Sequence, residues 1–274
     1  MSPFIVVIGG GTMGRGIAIA ALGAGLDVVL VDVAEQVLES ARSRVAGYFE
    51  RHPGSAGVLT TSTDLASSLP AADVVIEAVP EILDLKLDMF RQLKDASPGT
   101  LLVSNTSTMS ISTISEACGG SSRVVGMHFF NPAHRMPLVE VIVGDHTDDA
   151  SRDRAVRLAQ QLGKDPIVVR DIPGFVTSRL GLLLGTEAMR MVEEGVASAA
   201  DIDKAMKLGY GHPMGPLELA DLVGLDARLN NLRSMHERTG NDLYDPPALL
   251  VELVDQGHLG KKSGRGFFDY AARS

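Results

Sequence analysis

Through the first 170 residues, short runs of β-branched and other apolar residues alternate with stretches of helical period. The runs are FIVVIG, DVVLVD, VLTTST, DVVIEAV, LLVSN, RVVGMHFF, PLVEVIVG and DPIVVRD, with amphipathic stretches such as 34–49 and 82–93 between several of them. Strands that alternate with helices predict a mostly parallel sheet covered by helices on both faces. Two of the runs, 124–130 and 138–144, are separated only by the turn-rich heptapeptide NPAHRMP. So short a connection predicts adjacent antiparallel strands, with His128 beside Glu140. The texture changes at the Pro173-Gly174 pair, a natural stop. Beyond it only helical patterns remain, at 175–194, 199–208, 216–223 and 246–256. The pattern predicts an α/β domain over 1–172 and an all-α domain over 173–274, with a ligand site expected in a cleft between domains.

Composition narrows the function classes. Hydrophobic residues make up 45% of the 274 and charged residues 22%, an ordinary globular balance. The formal net charge of −9 offers no footprint for nucleic acid or an anionic membrane. An anionic ligand must therefore be held by local donors. Cys118 is the single cysteine, so no internal disulfide can form and a reducing compartment is expected. The opening MSPFIVVIGGG has no basic residue before its apolar run, unlike a secretory signal. The apolar IAIAALGAGLDVVLV is interrupted at Gly23, Gly25 and Asp27 and does not read as a membrane span. A cytoplasmic protein is expected.

FIVVIGGGTMGRGIAIA reads as strand, glycine turn and helix, with Gly9, Gly11 and Gly14 at G-x-G-x-x-G spacing and Thr12 and Met13 inside the turn. In that pattern the first glycine makes the tight turn and the second lets backbone approach a pyrophosphate. The third lets the helix pack against the strand, its N-terminus facing the anion. A plain structural turn is the alternative. Against it stands the second strand, which ends in Asp32, placed to accept hydrogen bonds from an adenosine ribose. Val33 and Ala34 follow, with no arginine to offset repulsion of a ribose 2′-phosphate, so NAD is expected over NADP. The domain class is Rossmann-like.

His128 lies in HFFNP and Glu140 in LVEV, where Glu140 shares a face with Leu138 and Ile142. A buried carboxylate needs a partner, and an imidazole beside it gains a fixed tautomer, higher basicity and a stabilised charged form. That is how a general base or acid is built. A satisfied core histidine and a solvent-facing glutamate on an edge strand would leave the same spacing, which keeps both readings open.

GGGTMGRGIA, SNTS (104–107), HFFNP (128–132), LVEV (138–141), PGFVTSRL, KLGYGHPMGPLELADLVGLD and GKKSGRGFFDY together resemble the L-3-hydroxyacyl-CoA dehydrogenases, most nearly the bacterial 3-hydroxybutyryl-CoA enzymes. The resemblance runs over nearly the whole chain in the family's order. It implies a Rossmann-like NAD-binding domain, a helical C-terminal domain that dimerises, and NAD-linked oxidation of a 3-hydroxyacyl thioester. By the same resemblance His128 is the catalytic base and Glu140 its orienting carboxylate, while Ser107 and Asn131 contact the substrate near the nicotinamide. Asn105, Glu81, Lys86 and Lys262 fall at cofactor positions. Without it, Glu81 and Lys86 read as an exposed pair on a helix's first turns, and Lys262 as a solvated charge.

Two departures stand out. Ser178 occupies a substrate position where many members carry asparagine, which weakens or replaces a contact. The stretch from Val33 to Gly57 is short and has no lysine, whereas the family's longer arm there helps hold coenzyme A. Arg15, Arg42, Arg44 and Arg51 are the remaining cationic candidates, and a weak hold on the adenosine end is expected. An acyl carrier protein or a free hydroxy acid is the alternative substrate, and a non-catalytic NAD-binding protein a further one. The related β-hydroxyacid dehydrogenases carry a lysine on the helix that is GFVTSRLGLLLGTEAMRMVEEG here, and this helix has none.

Overall fold

The computed structural model describes residues 3–54 and 56–270. The chain divides into two compact units, Met1–Phe175 and Val176–Ser274.

The first unit is built on one eight-stranded sheet: β1 (Ile5–Ile8), β2 (Val28–Val31), β3 (Leu59–Ser62), β4 (Val74–Glu77), β5 (Leu101–Ser104), β6 (Val124–Phe129), β7 (Leu138–Val143) and β8 (Asp165–Arg170). The spatial order is β3-β2-β1-β4-β5-β6-β7-β8. Strands β1 to β6 are mutually parallel, β7 turns back antiparallel to β6, and β8 follows β7 in parallel. The helices are α1 (Thr12–Gly23), α2 (Glu35–Arg51), α3 (Leu65–Ser68), α4 (Leu83–Leu93), α5 (Ile111–Ala117) and α6 (Asp149–Gln161). Alternate residues of β1 divide between two cores: Ile5 and Val7 join Ile17 of α1, Leu38 of α2 and Leu158 of α6, while Val6 and Ile8 join Phe90 of α4 and Ile114 of α5. That period-two division, buried on both faces, is what an apolar strand under two helix layers requires. The reversal of strand order between β1 and β4 opens a crevice at the strands' C-terminal ends, where ligands bind in sheets of this kind.

The second unit holds α7 (Thr177–Glu193), α8 (Ala199–Tyr210), α9 (Pro216–Val223), α10 (Leu225–Thr239) and α11 (Ala248–Asp255). Its core gathers Leu182, Met189, Ile202, Leu217, Leu229 and Leu232. Fully buried Asp221 on α9 ties down the chain's last described stretch, accepting from the amides of Phe267 (3.0 Å) and Phe268 (2.9 Å) and from the Tyr270 hydroxyl (3.1 Å). Helices α3, α5, α6 and α10 are not among the stretches that pattern singles out. Among the described residues, no helix is long and apolar enough to cross a membrane.

Candidate active site

The glycine turn joins β1 to α1 at the crevice. Gly9 has φ +103°, and a Cβ there would come within 2.6 Å of the Ala78 carbonyl oxygen, so β1 and β4 can sit together only without one. A Cβ on Gly14 would lie 1.8 Å from the Gly9 carbonyl oxygen, which fixes how closely α1 approaches the turn. Gly11 differs: its Cβ would meet nothing within 4 Å. Open space therefore stands over the N-terminus of α1, which has no side-chain cap and no acidic residue in its first turn. Those amides remain free for an anion. At the end of β2, Asp32 accepts from the Gly10 amide through Oδ2 (2.7 Å) and from the Ala34 amide through Oδ1 (3.0 Å), so its carboxylate is fixed before any ligand arrives. Free amides, an empty Cβ position and a fixed carboxylate fit the pyrophosphate and ribose of a dinucleotide.

A cavity of about 600 Å³ runs from this turn, where Thr12, Met13 and Asp32 line it, to His128, Phe130 and Asn131 at its other end. His128 and Glu140 face each other across the antiparallel β6–β7 pair. His128 Nδ1 lies 2.7 Å from Glu140 Oε2. Glu140 has no accessible surface and His128 retains 9%. Because a carboxylate can only accept, Nδ1 carries the shared proton, and in the neutral ring that leaves Nε2 as the acceptor. The rings of Phe130 (centroids 4.4 Å apart) and Phe175 (6.1 Å) give the imidazole apolar neighbours.

Between the two ends stands the loop that follows β5. Asn105 Oδ1 accepts from the Phe129 amide (3.0 Å), tying this loop to β6 one residue beyond His128. Glu81 Oε1 collects the Thr106 hydroxyl (2.5 Å), the Ser107 amide (2.9 Å) and the Ser107 hydroxyl (3.3 Å). Burial alone would raise the Glu81 pKa. The Lys86 charge and the hydrogen bonds from Thr106 and Ser107 outweigh it and hold the carboxyl below its usual range. Glu81 Oε2 lies 3.3 Å from Lys86 Nζ.

Lys86 corrects one reading made from the residues alone: it is not an exposed charge on a helical turn, for its side chain is fully buried. Its ammonium is taken up by Glu77 (2.6 Å) and Glu81 (3.3 Å). Glu77 itself was overlooked. The available signal was one acid inside the apolar run DVVIEAV, a carboxylate that a buried parallel strand cannot carry without a partner.

A second cavity of about 730 Å³ shares Thr12 and Asn131 with the first. Arg15, Arg44, Arg51 and Arg135 line it, the first three among the cationic candidates of the sequence and Arg135 an addition to them. Arg42 does not line it; it pairs with Glu35 and Thr61 instead. Burial and then the neighbouring Arg44 push the Arg15 pKa down. His134, packed edge-on against Tyr48 (4.9 Å), is likewise pushed down by burial and by Arg135, Lys164 and His52.

Two expected site residues belong to the second unit. Lys262 Nζ forms an ion pair with Asp226 (2.6 and 2.7 Å), and Ser178 lies in the first turn of α7.

The family model described as 3-hydroxyacyl-CoA dehydrogenase, NAD binding domain, matches residues 4–172, and the model for that family's C-terminal domain matches 174–270. The chain belongs to the 3-hydroxyacyl-CoA dehydrogenase family. It is an NAD-dependent oxidoreductase by that membership. Within the family, the rat mitochondrial hydroxyacyl-coenzyme A dehydrogenase is 42% identical over 97% of this chain and 90% of its own length. The 3-hydroxybutyryl-CoA dehydrogenase of Bradyrhizobium diazoefficiens is 40% identical over 96% and 94%. Among solved structures, the (S)-3-hydroxybutyryl-CoA dehydrogenase of Ralstonia eutropha superposes with a TM-score of 0.93 at 36% identity, covering 99% of this chain and all of that one.

Proposed function

We propose that this member of the 3-hydroxyacyl-CoA dehydrogenase family interconverts an L-3-hydroxyacyl thioester and its 3-oxoacyl counterpart, with His128 as the acid–base group and coenzyme A as the preferred carrier. The observation that carries the reading is the 2.7 Å His128–Glu140 contact at one end of a cavity whose other end is the glycine turn and Asp32. The bound nicotinamide cofactor supplies the hydride acceptor for oxidation and the donor for reduction. In oxidation His128 Nε2 takes the proton of the 3-hydroxyl, and Glu140 stabilises the imidazolium that results. In reduction the same imidazolium returns the proton to the forming alkoxide. Ser107 and Asn131 orient the substrate oxygens. Asp32, Thr12, Met13 and the turn glycines hold the dinucleotide, and the family resemblance assigns Asn105, Glu81, Lys86 and Lys262 to the cofactor and Ser178 to the substrate.

Coenzyme A is favoured because one ligand can reach from His128 past Thr12 and Asn131 into the arginine-lined cavity. Its diphosphate and 3′-phosphate match such donors. The single, buried Cys118, whose thiol burial pushes up in pKa, suits a cytoplasmic, reducing setting.

The test mixes the protein with NADH and acetoacetyl-CoA and follows loss of the reduced nicotinamide. His128→Gln should lower turnover by roughly 10²–10⁴-fold while leaving NADH affinity nearly unchanged. Binding of NADH with no consumption across a series of 3-oxoacyl thioesters would leave a non-catalytic NAD-binding protein as the better reading.

A further inference from the structure

The geometry points to Glu77 as a positioning residue, a buried carboxylate that acts through Lys86 and Glu81 to fix where Ser107 stands. Glu77 ends β4 with no accessible surface. Its Oε1 accepts from Lys86 Nζ (2.6 Å) and the Val79 amide (2.8 Å), and its Oε2 from the Ser104 hydroxyl (2.7 Å). Lys86, equally buried, is thereby anchored from below and presents the same ammonium to Glu81 Oε2 at 3.3 Å. The other Glu81 oxygen is then committed to the loop, gathering Thr106, Ser107 and Thr108. One buried cation stands between two carboxylates, one inside the sheet and one lining the cavity.

The distances set a balance: Lys86 is held mainly by the nearer Glu77 (2.6 Å against 3.3 Å), and Oε1 of Glu81 stays with the loop. Replacing Glu77 by glutamine removes its charge. Among the described residues Glu81 is then the one anion paired with a desolvated ammonium whose other contact is the neutral Val79 carbonyl (3.4 Å). Coulomb attraction strengthens in such an environment, so Glu81 is drawn inward and its bonds to Ser107 and Thr108 loosen. Only the kinetic half of the test below rests on the proposed thioester chemistry.

Hydrogen exchange by mass spectrometry supplies the first half. In Glu77→Gln the Ser107 and Thr108 amides should exchange about tenfold faster or more, while β1 and β6 keep their original rates. Unchanged exchange at the two loop amides, or equal acceleration across the sheet, overturns the proposal. Should Glu77→Gln fail to fold, Glu77→Asp keeps the charge but shortens its reach by one methylene. It should accelerate the same two amides selectively, and original rates there count against the relay. The second half compares kcat/KM for acetoacetyl-CoA in Glu77→Gln, Ser107→Ala and the double variant. If Glu77 acts through Ser107, the double variant matches Ser107→Ala within about twofold. Losses that multiply instead mark a general weakening and overturn it. If the unaltered protein proves inactive on thioesters, the functional reading fails and the exchange data still decide the relay.

Discussion

Asp32 shows at the scale of a single side chain how a site is prepared in advance. Both its oxygens are engaged by backbone amides at 2.7 and 3.0 Å, so the carboxylate keeps its place, and each oxygen retains capacity to accept a further hydrogen bond. A hydrogen bond to a charged group contributes about 1.5–3 kcal/mol. Asp32→Ala should therefore weaken NADH binding roughly 10- to 100-fold and narrow the preference over NADPH by removing repulsion of the 2′-phosphate. Equal rates with both cofactors before any substitution would contradict this account of the β2 terminus. Asp32 was legible in the sequence because its role follows from position: the end of the second strand after a glycine turn. The surroundings of Lys86 were not. Helical period places it on a first turn, but which face of that turn meets the sheet depends on the buried acid of a different element, Glu77. Local pattern says nothing of such a partner, and tertiary pairing overrides the ordinary exposure of lysine.

Elements fix what single residues cannot, because α2 and the loop after β6 come from distant parts of the chain and wall one cavity together. Arg44 and Arg51 project from α2, while His134 and Arg135 come from the β6–β7 connection. Taken together, Arg44→Gln and Arg51→Gln should raise KM for acetoacetyl-CoA roughly 10- to 100-fold, as lost charge-assisted hydrogen bonds predict. The N-acetylcysteamine thioester, which lacks the adenosine and diphosphate, should respond little. An equal response from the two thioesters would show that the arginines do not meet coenzyme A. A carrier-protein thioester that outperforms both would move the proposal to that carrier. The sheet's strands were readable from their β-branched runs, and the His128–Glu140 register from the seven-residue turn. Helix α6 was harder, since it buries only a narrow stripe. In α6 small Ser151, Ala155 and Ala159 accompany Leu158, and a stripe of small residues gives little apolar periodicity.

For the whole molecule the open matter is what covers the second unit. It is a unit of about 100 residues, a size at which a helical domain seldom buries all its apolar surface alone. Leu180 (63% exposed) and Leu184 (38%) lie one turn apart on α7; Leu183, on the same helix, packs against the unit's core and Met189 is buried in it. Leu222 (50%) and Val223 (47%) stand exposed on α9, which packs against α7. Leu208 (77%) adds to them from α8. Exposed large apolar residues on helices that pack together offer a candidate association surface. A second copy of the chain is the partner proposed, as the family resemblance also implies, through residues beyond Pro173. Light scattering at micromolar concentration should give twice the 29.0 kDa chain mass. Leu180→Glu with Leu184→Glu should return the single-chain mass, because burying two unpaired carboxylates at an apolar contact is strongly unfavourable. Single-chain mass in the unaltered protein would rule the dimer out. A dimer that survives both glutamates would shift the contact away from α7 and leave α8 and α9 to carry it.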